Sequence, residues 1–482
     1  MEKLGLFDQL FYKADQYDVI SMIMGGATVL APARKREKLD AHAIADHLAA
    51  RLWHIPLLRV KLVQDPLRLG TVRKIEDPDF NIHDHISVIS LPAPGGYAEL
   101  SRCLSELSAT PLELSKLWHW TVIDGLEGGR LAIDCRIHHA LADGVGIVEA
   151  LSAMYDAEPV APERLSGDCH LVPVEPSPYR LLRDAVAEST RRLWVDTPKF
   201  VVKNTGPVLR ALGGGLRDYL ANRNDPESKF EMPEPSSTSL NINGFSDSRS
   251  LSWKTFPLKK VKALSRHFAC KVNDIGLLLF SFALQRYFEG IGEDIDFDLW
   301  CAMPLSTRGA NSGEGGNQVT IGRLSLHNTI ADPVERLEAI KRDAQEVKDS
   351  ARPAEPVVDA QELANLVFPT AIDALMYLAG KLNLLGRISD SYCFANAIFS
   401  NVPGPPVPVY VANGVMVESI PKIPALDVIA LSGGFTSLED VITIGFHCDG
   451  EVVEQPDLFV KGVEGAWDAL HSAMTATKRG AA

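Results

Sequence analysis

Two adjacent histidines, His138 and His139, stand in the string RIHHALADGVG at 136–146. Asp143 follows the second by four residues, and Gly144 and Gly146 come next. These residue types fit proton transfer. A neutral imidazole takes a proton from a hydroxyl and returns it to a leaving group, and its ordinary pKa of ~6.5 suits that work near neutrality. Asp143 at that spacing can hold a histidine as a dyad, cap a helix, or pair with an arginine and lock the turn. The glycines keep the surroundings open to a long substrate. A metal would need further ligands at suitable spacing, and none follows.

The elements that must position these groups are readable from hydrophobic period. Leu131, Ile133, Cys135 and Ile137 alternate with Ala132, Asp134 and Arg136, which predicts a strand. A helix is predicted to start at Asp143. The histidines therefore fall in a strand-to-helix turn at the C-terminal end of a strand, where α/β folds usually place ligand-contacting groups. Residues 98–110 have helical spacing, and WHWTVIDGL reads as a strand with a turn at Asp124 and Gly125. Strand–helix alternation resumes after residue 249, with a long apolar helix opening near Asn273 and Asp274 and a late strand, VITIGFHCDG. The predicted fold class is α/β, with two layered units side by side.

A length of 482 residues exceeds one ordinary core. The expected division is 1–178, a connector at 179–248, and 249–482. The Pro-rich LVPVEPSP closes the first unit. From 180 to 223 the chain carries nine Lys or Arg against four Asp or Glu, in a protein of net charge −14. Trp194 and several leucines lie among those bases. Such a segment is either a solvated connector or a basic amphipathic surface for an anionic bilayer or droplet. In the second case Arg191, Arg192, Lys199 and Lys203 would carry the attraction. The acidic balance excludes nucleic acid as a partner. Seven scattered cysteines without a C-x-x-C pair read as reduced thiols, so a cytoplasmic location is expected. No leader and no clean run of ~18 apolar residues is expected to take the chain across a membrane.

The string His-His-x-x-x-Asp-Gly resembles the signature of CoA-dependent acyltransferases, a superfamily that includes chloramphenicol acetyltransferase and the condensation domains of peptide synthetases. LWHWTVIDGL, DPDFNIHDHISVISLPAPGG, KVNDIGLLL, MPLSTRG, GGNQV and SNVPGPPVPVY are similar, in order and spacing, to elements of bacterial wax ester synthase/diacylglycerol acyltransferases. The resemblance runs from about residue 8 to about residue 467. Two stretches depart from it. Lys116, Leu117, Trp118 and His119 stand where the family often has Pro-Leu-Trp-Glu, and ISMIMGG replaces a Met-His-Val-Gly-Gly-like segment.

The resemblance implies two chloramphenicol-acetyltransferase-like domains, each a mixed sheet with helices, and an active-site tunnel between them. It implies an O-acyltransferase that moves a fatty acyl group from acyl-CoA to diacylglycerol or a long-chain alcohol. His139 would be the general base in a direct transfer, with His138 shaping the loop. Asp143 would turn away and pair with Arg308, supported by Gly144. Asn273 and Asp274 would cap their helix or serve the tunnel, and Trp118, Asn317, Asn401, Pro403 and Gly404 are candidates for its wall. Acyl-CoA is a co-substrate, and no other cofactor or metal is expected. The protein would sit peripherally on a membrane or lipid inclusion. Two alternatives stay open: a condensation-type enzyme taking a carrier-bound acyl donor, and a non-catalytic lipid-binding protein.

Overall fold

A computed structural model describes residues 1–141, 152, 154–164, 175–200, 203, 236–306, 319–350, 368–424 and 428–480. Three sheets organise them. A small sheet joins β1 (Glu2–Lys3), β4 (Arg73–Glu76) and β3 (Val60–Val63) in the order β1-β4-β3. The first large sheet contains β2 (Ile23–Pro32), β5 (Ile86–Ser90), β6 (Trp118–Leu126), β7 (Arg130–His138), β12 (Tyr410–Val411) and β13 (Gly414–Lys422). Its order is β12-β13-β2-β7-β6-β5. The second contains β8 (Arg249–Pro257), β9 (Trp300–Ser306), β10 (Val319–Ser325), β11 (Ala397–Val402), β14 (Leu431–Leu438) and β15 (Val441–Asp449), ordered β10-β9-β11-β14-β15-β8. Both are mixed: β5 pairs parallel to β6 in one, and β11 parallel to β14 and β9 in the other.

The alternation in β7 works as its period requires. Leu131, Ile133, Cys135 and Ile137 pack with Trp118 and Trp120 under helix α2 (Ala41–Leu52). The opposite face carries Ala132 against helix α3 (Tyr97–Ala109), in a core completed by Leu251 and Trp253 of β8. Asp134, Arg136 and His138 share that second face, so polar side chains point to the seam between the two large sheets.

Residue 249 does mark the start of the second sheet, but the expected 249–482 unit is not self-contained. Residues 410–422 leave it and complete the first sheet, where β13 runs antiparallel to β2 from Gly414↔Pro32 to Lys422↔Gly25. This pairing covers the backbone edge that β2 would otherwise expose. Glu418 of β13 then accepts hydrogen bonds from Trp253 Nε1 (3.2 Å) and Thr255 Oγ1 of β8, which ties the sheets together. Gly25 allows the close passage of β2 beside β7, since a Cβ there would lie 1.9 Å from the Cys135 carbonyl oxygen.

Further helices are α4 (Pro178–Arg191), α5 (Leu258–His267), α6 (Val272–Ile291), α7 (Pro333–Ser350), α8 (Pro369–Lys381), α9 (Leu384–Ser391) and α10 (Asp457–Gly480). They are preceded by α1 (Leu6–Gln16). Helix α6 is apolar and buried through most of its length, with Phe280 against Phe399 and Phe446 of the second sheet, and only its C-terminal turns expose polar groups such as Arg286 and Glu289. Among the described residues no single helix is long and apolar enough to cross a membrane. The start of the connector is packed: Glu188 of α4 meets Lys3 at 2.9 Å, Arg73 at 3.2 Å and Arg192 at 3.1 Å.

Candidate active site

The two histidines are held first by their backbones. His138 ends β7, and its N–H donates to Leu117 O at 2.7 Å, beside β6. The His139 N–H donates to Met22 O at 2.8 Å, beside β2. Clamping from both sides fixes where each ring leaves the chain.

The rings have different surroundings. His138 is 1% exposed. Its Nδ1 accepts from the Ala140 N–H at 3.0 Å, so the proton of the neutral ring sits on Nε2. That Nε2 lies 2.9 Å from Asp15 Oδ2, off the line of a hydrogen bond. His139 is only partly buried, with Phe11 edge-on at 4.7 Å. Burial, and then the neighbouring His138, pull its pKa down to about 4. His139 is therefore neutral at physiological pH.

Helix α1 supplies Phe11, Tyr12 and Asp15 to this pair, a role the sequence reading missed. The signal was the i, i+4 placement of Phe11 and Asp15 on one helical face, with no partner visible in the sequence. Buried Lys13 anchors α1. Its Nζ donates to Gln64 Oε1 at 2.6 Å and Gln16 Oε1 at 2.9 Å, and lies 2.8 Å from Asp373 Oδ1 on α8. The Tyr17 hydroxyl donates to the same Asp373 oxygen at 2.9 Å. Lys74 Nζ of β4 donates to Leu141 O at 2.9 Å and holds the chain just past the histidines.

Other expected site residues are placed differently. Trp118 is a core residue and no tunnel wall: its ring stacks on His85 at 4.4 Å and its N–H donates to Leu58 O at 2.7 Å. An indole with its donor satisfied has no reason to face a substrate channel. Asp274 accepts from the Lys271 N–H at 2.8 Å and so caps α6, with Asn273 partly buried beside it. Asn401 and Pro403 are exposed at and just past the end of β11. Gly404 packs so tightly that a Cβ would meet Ser437 O at 2.0 Å, a reason for glycine independent of any substrate. Asp143, Gly144, Arg308 and Asn317 lie outside the described residues. His119 contacts Ser87 Oγ at 2.9 Å, and burial and Arg136 lower its pKa to about 4.

The sign of the pH dependence follows. An imidazole depressed below its ordinary ~6.5 gains a proton on unfolding, so stability falls as pH drops from ~6.5 toward the folded value. In the folded protein His139 becomes protonated only as pH falls through that lower value. With the enzyme held folded by a brief pH jump, kcat/KM is expected to stay level below about pH 6 and to fall toward about pH 4. An acid limb centred near ~6.5 would contradict the apolar setting of His139.

Residues 4–276 match the wax ester synthase/diacylglycerol acyltransferase catalytic domain, and 315–471 match the C-terminal domain of the same family. A Mycobacterium tuberculosis protein assigned as a diacylglycerol O-acyltransferase is 30% identical over 370 residues, covering 74% of each chain. An O-acyltransferase of Acinetobacter baylyi is 26% identical over 372 residues, covering 77% of each. In fold, the chain is similar to a wax ester synthase/diacylglycerol acyltransferase from Marinobacter aquaeolei, with a TM-score of 0.68, 20% identity and coverage of 98% and 100%. It is also similar to the first condensation domain of the calcium-dependent antibiotic synthetase, with a TM-score of 0.53 and 14% identity over 97% and 96% of the two chains. With its two adjacent histidines at a strand end and both domain models matched in order, the chain belongs to the wax ester synthase/diacylglycerol acyltransferase family.

Proposed function

We propose that this protein transfers a fatty acyl group from acyl-CoA to a lipid alcohol, with diacylglycerol giving triacylglycerol or a long-chain alcohol giving a wax ester. The observation that carries the reading is the neutral, partly buried His139 at the end of β7, clamped by β2 and edged by Phe11. His139 takes the proton of the acceptor hydroxyl as its oxygen attacks the thioester carbonyl. The C–O bond forms, the C–S bond breaks, and the imidazolium returns its proton to the departing thiolate. An imidazolium is costly in this apolar setting unless opposite charge develops beside it, and the thioester oxyanion supplies that charge in the same step. Acyl-CoA enters as co-substrate, with no resident cofactor.

The test is CoA release from palmitoyl-CoA with hexadecanol or dipalmitoylglycerol as acceptor. Release that depends on the alcohol supports the reading and names the acceptor class. A folded protein that releases no CoA, but acts on a carrier-bound acyl group, would overturn it in favour of condensation-type chemistry.

The protein is further proposed to work at the surface of a membrane or lipid inclusion, from the cytoplasmic side. Support comes from the connector, where Tyr179, Leu193 and Trp194 are exposed, Trp194 at 73%. Beside them an open cleft of about 810 Å³ is lined by six bases, Lys3, Arg73, Arg191, Arg192, Lys199 and Lys203, against three acids, Asp184, Glu188 and Asp196. Aromatic and basic groups together suit an anionic lipid interface. Arg192 lines the cleft but is largely buried against Glu188, and its loss would disturb α4. Neutralising Arg191, Lys199 and Lys203 together with Trp194→Ala is expected to reduce co-sedimentation with anionic liposomes severalfold; unchanged binding would remove the assignment.

A further inference from the structure

A solvent-facing stripe on α8 runs against the usual pattern of a surface helix. Ala371, Ala374, Leu375, Leu378 and Leu382 are exposed and fall at i, i+3, i+4, i+7 and i+11, on one side of the helix. Leu375 is 54% exposed and Leu378 49%. The opposite side is also apolar, and it is the side that packs: Met376 and Ala379 meet Ala14 and Val19 at the end of α1. Both charges of α8 avoid the outer stripe. Asp373 is turned inward to Lys13, and Lys381 stands at the C-terminal end. A surface helix ordinarily puts polar side chains where α8 puts alanine and leucine.

The stripe has neighbours of the same kind. Tyr377, half-exposed, meets the Tyr17 ring at 5.9 Å. The Arg68 guanidinium covers that Tyr17 ring at 5.6 Å, beside exposed Leu67. Ahead of α8, Phe368 lies under the Arg192 guanidinium at 5.8 Å, and exposed Leu193 and Trp194 follow Arg192. The apolar groups of the connector, the loop at Leu67 and α8 therefore border one another. They extend the surface assigned above to a lipid interface.

Composition narrows the partner. Alanine and leucine side chains carry no hydrogen-bonding group, whereas an interface with another protein has about one hydrogen bond per 100–200 Å². Tyr377 and Lys381 flank the stripe, and such residues, with an apolar body and a polar tip, sit at a lipid headgroup layer. Position narrows it further. From Tyr17 back to Phe11 is about 9 Å along α1, and Phe11 is edge-on to His139.

We propose that α8 seats the protein on a lipid surface by burying Leu375, Leu378 and Leu382 among acyl chains, and that the acceptor alcohol passes from that surface along α1 to His139. The bases of the connector supply attraction to anionic headgroups and α8 supplies apolar anchorage, since stable attachment takes two signals. The delivery step rests on the acyl-transfer reading; the docking does not.

The test compares full-length wild type with a variant carrying Leu375→Gln, Leu378→Gln and Leu382→Gln. All three side chains are exposed, so the melting curve should not change. Co-sedimentation with phosphatidylcholine vesicles at high salt screens the connector's charges and reads apolar anchorage alone. The variant is expected to bind those vesicles at least about tenfold more weakly. With palmitoyl-CoA as donor, KM for dipalmitoylglycerol in vesicles should rise by a similar factor at unchanged kcat. Turnover of hexanol, dissolved without vesicles, should stay at the wild-type rate. Equal vesicle binding by the two proteins would overturn the proposal. So would light scattering that shows a wild-type dimer and a monomeric variant, which would assign the stripe to a second copy of the chain. A lowered melting point with loss of hexanol turnover would assign the leucines to the fold and overturn it as well. Weaker vesicle binding with an unchanged KM for dipalmitoylglycerol would overturn the delivery step. A folded wild type that binds vesicles through the stripe but releases no CoA with either alcohol would overturn the acyl-transfer reading and leave the docking in place.

Discussion

His139→Ala is expected to slow CoA release with palmitoyl-CoA and hexadecanol by ~10²–10⁴-fold, the usual range for a positioned general base. The variant should stay folded. The ring is only partly buried, and the backbone bond from the His139 N–H to Met22 O does not need the side chain. What is lost is the proton acceptor next to the alcohol. Residual rate would come from holding both substrates together in the fold. His139→Gln keeps polarity and volume but lacks a base near neutral pH, so it should match the alanine variant. A His139→Ala protein with a native melting curve and wild-type turnover would remove His139 from the chemistry. His138→Ala is no substitute for this test, because His138 is fully buried and its Nδ1 receives the Ala140 N–H.

Asp373→Ala is expected to destabilise the protein by ~3–5 kcal/mol, the cost of leaving a buried charge unpaired. Lys13 is 1% exposed. Burial lowers its pKa, and Asp373 is the group that pulls it back toward the charged form. Without Asp373 the ammonium keeps Gln16 and Gln64 as hydrogen-bond partners and only the weaker attraction of Asp65. The effect should reach the active site, since α1 also carries Phe11 and Asp15, which meet the two histidines. Denaturant unfolding and turnover are both measured. The double variant Lys13→Met with Asp373→Leu should recover most of the stability, because replacing a buried ion pair by apolar groups is often close to neutral. An Asp373→Ala protein as stable as wild type would show that the glutamines suffice.

Much of the fold's local content was legible. The period-2 pattern in β7 placed Leu131 to Ile137 on one face and Asp134 and Arg136 on the other, and the packing follows it because a strand's side chains must alternate. The helix at Tyr97–Ala109 and the buried helix after Lys271 were readable for the same kind of reason. Asp274 was readable as a cap, since a carboxylate at the third helical position reaches back to the N–H ahead of the helix. The reading failed where partners are distant in sequence. Trp118, a candidate for the tunnel wall, is a core residue with Leu58 O and His85 beside it. The unit boundary at 249 concealed the return of residues 410–422 to the first sheet, because a strand's own pattern does not say which edge it will pair with.

By itself the sequence determined the family and the residues that point to its chemistry: two histidines at a strand end, followed in sequence by Asp143 and Gly144, within a chain whose motifs place it in one acyltransferase family. Those properties depend on residue type and short spacing. The tertiary structure alone decided which groups surround those histidines. Asp15 and Phe11 reach the histidines from 123 and 128 residues upstream. Lys13 finds Asp373, and His447 faces Arg136 across the seam of two sheets. Burial and charge pairing are relations between surfaces, and they exist only once the chain has brought those surfaces together.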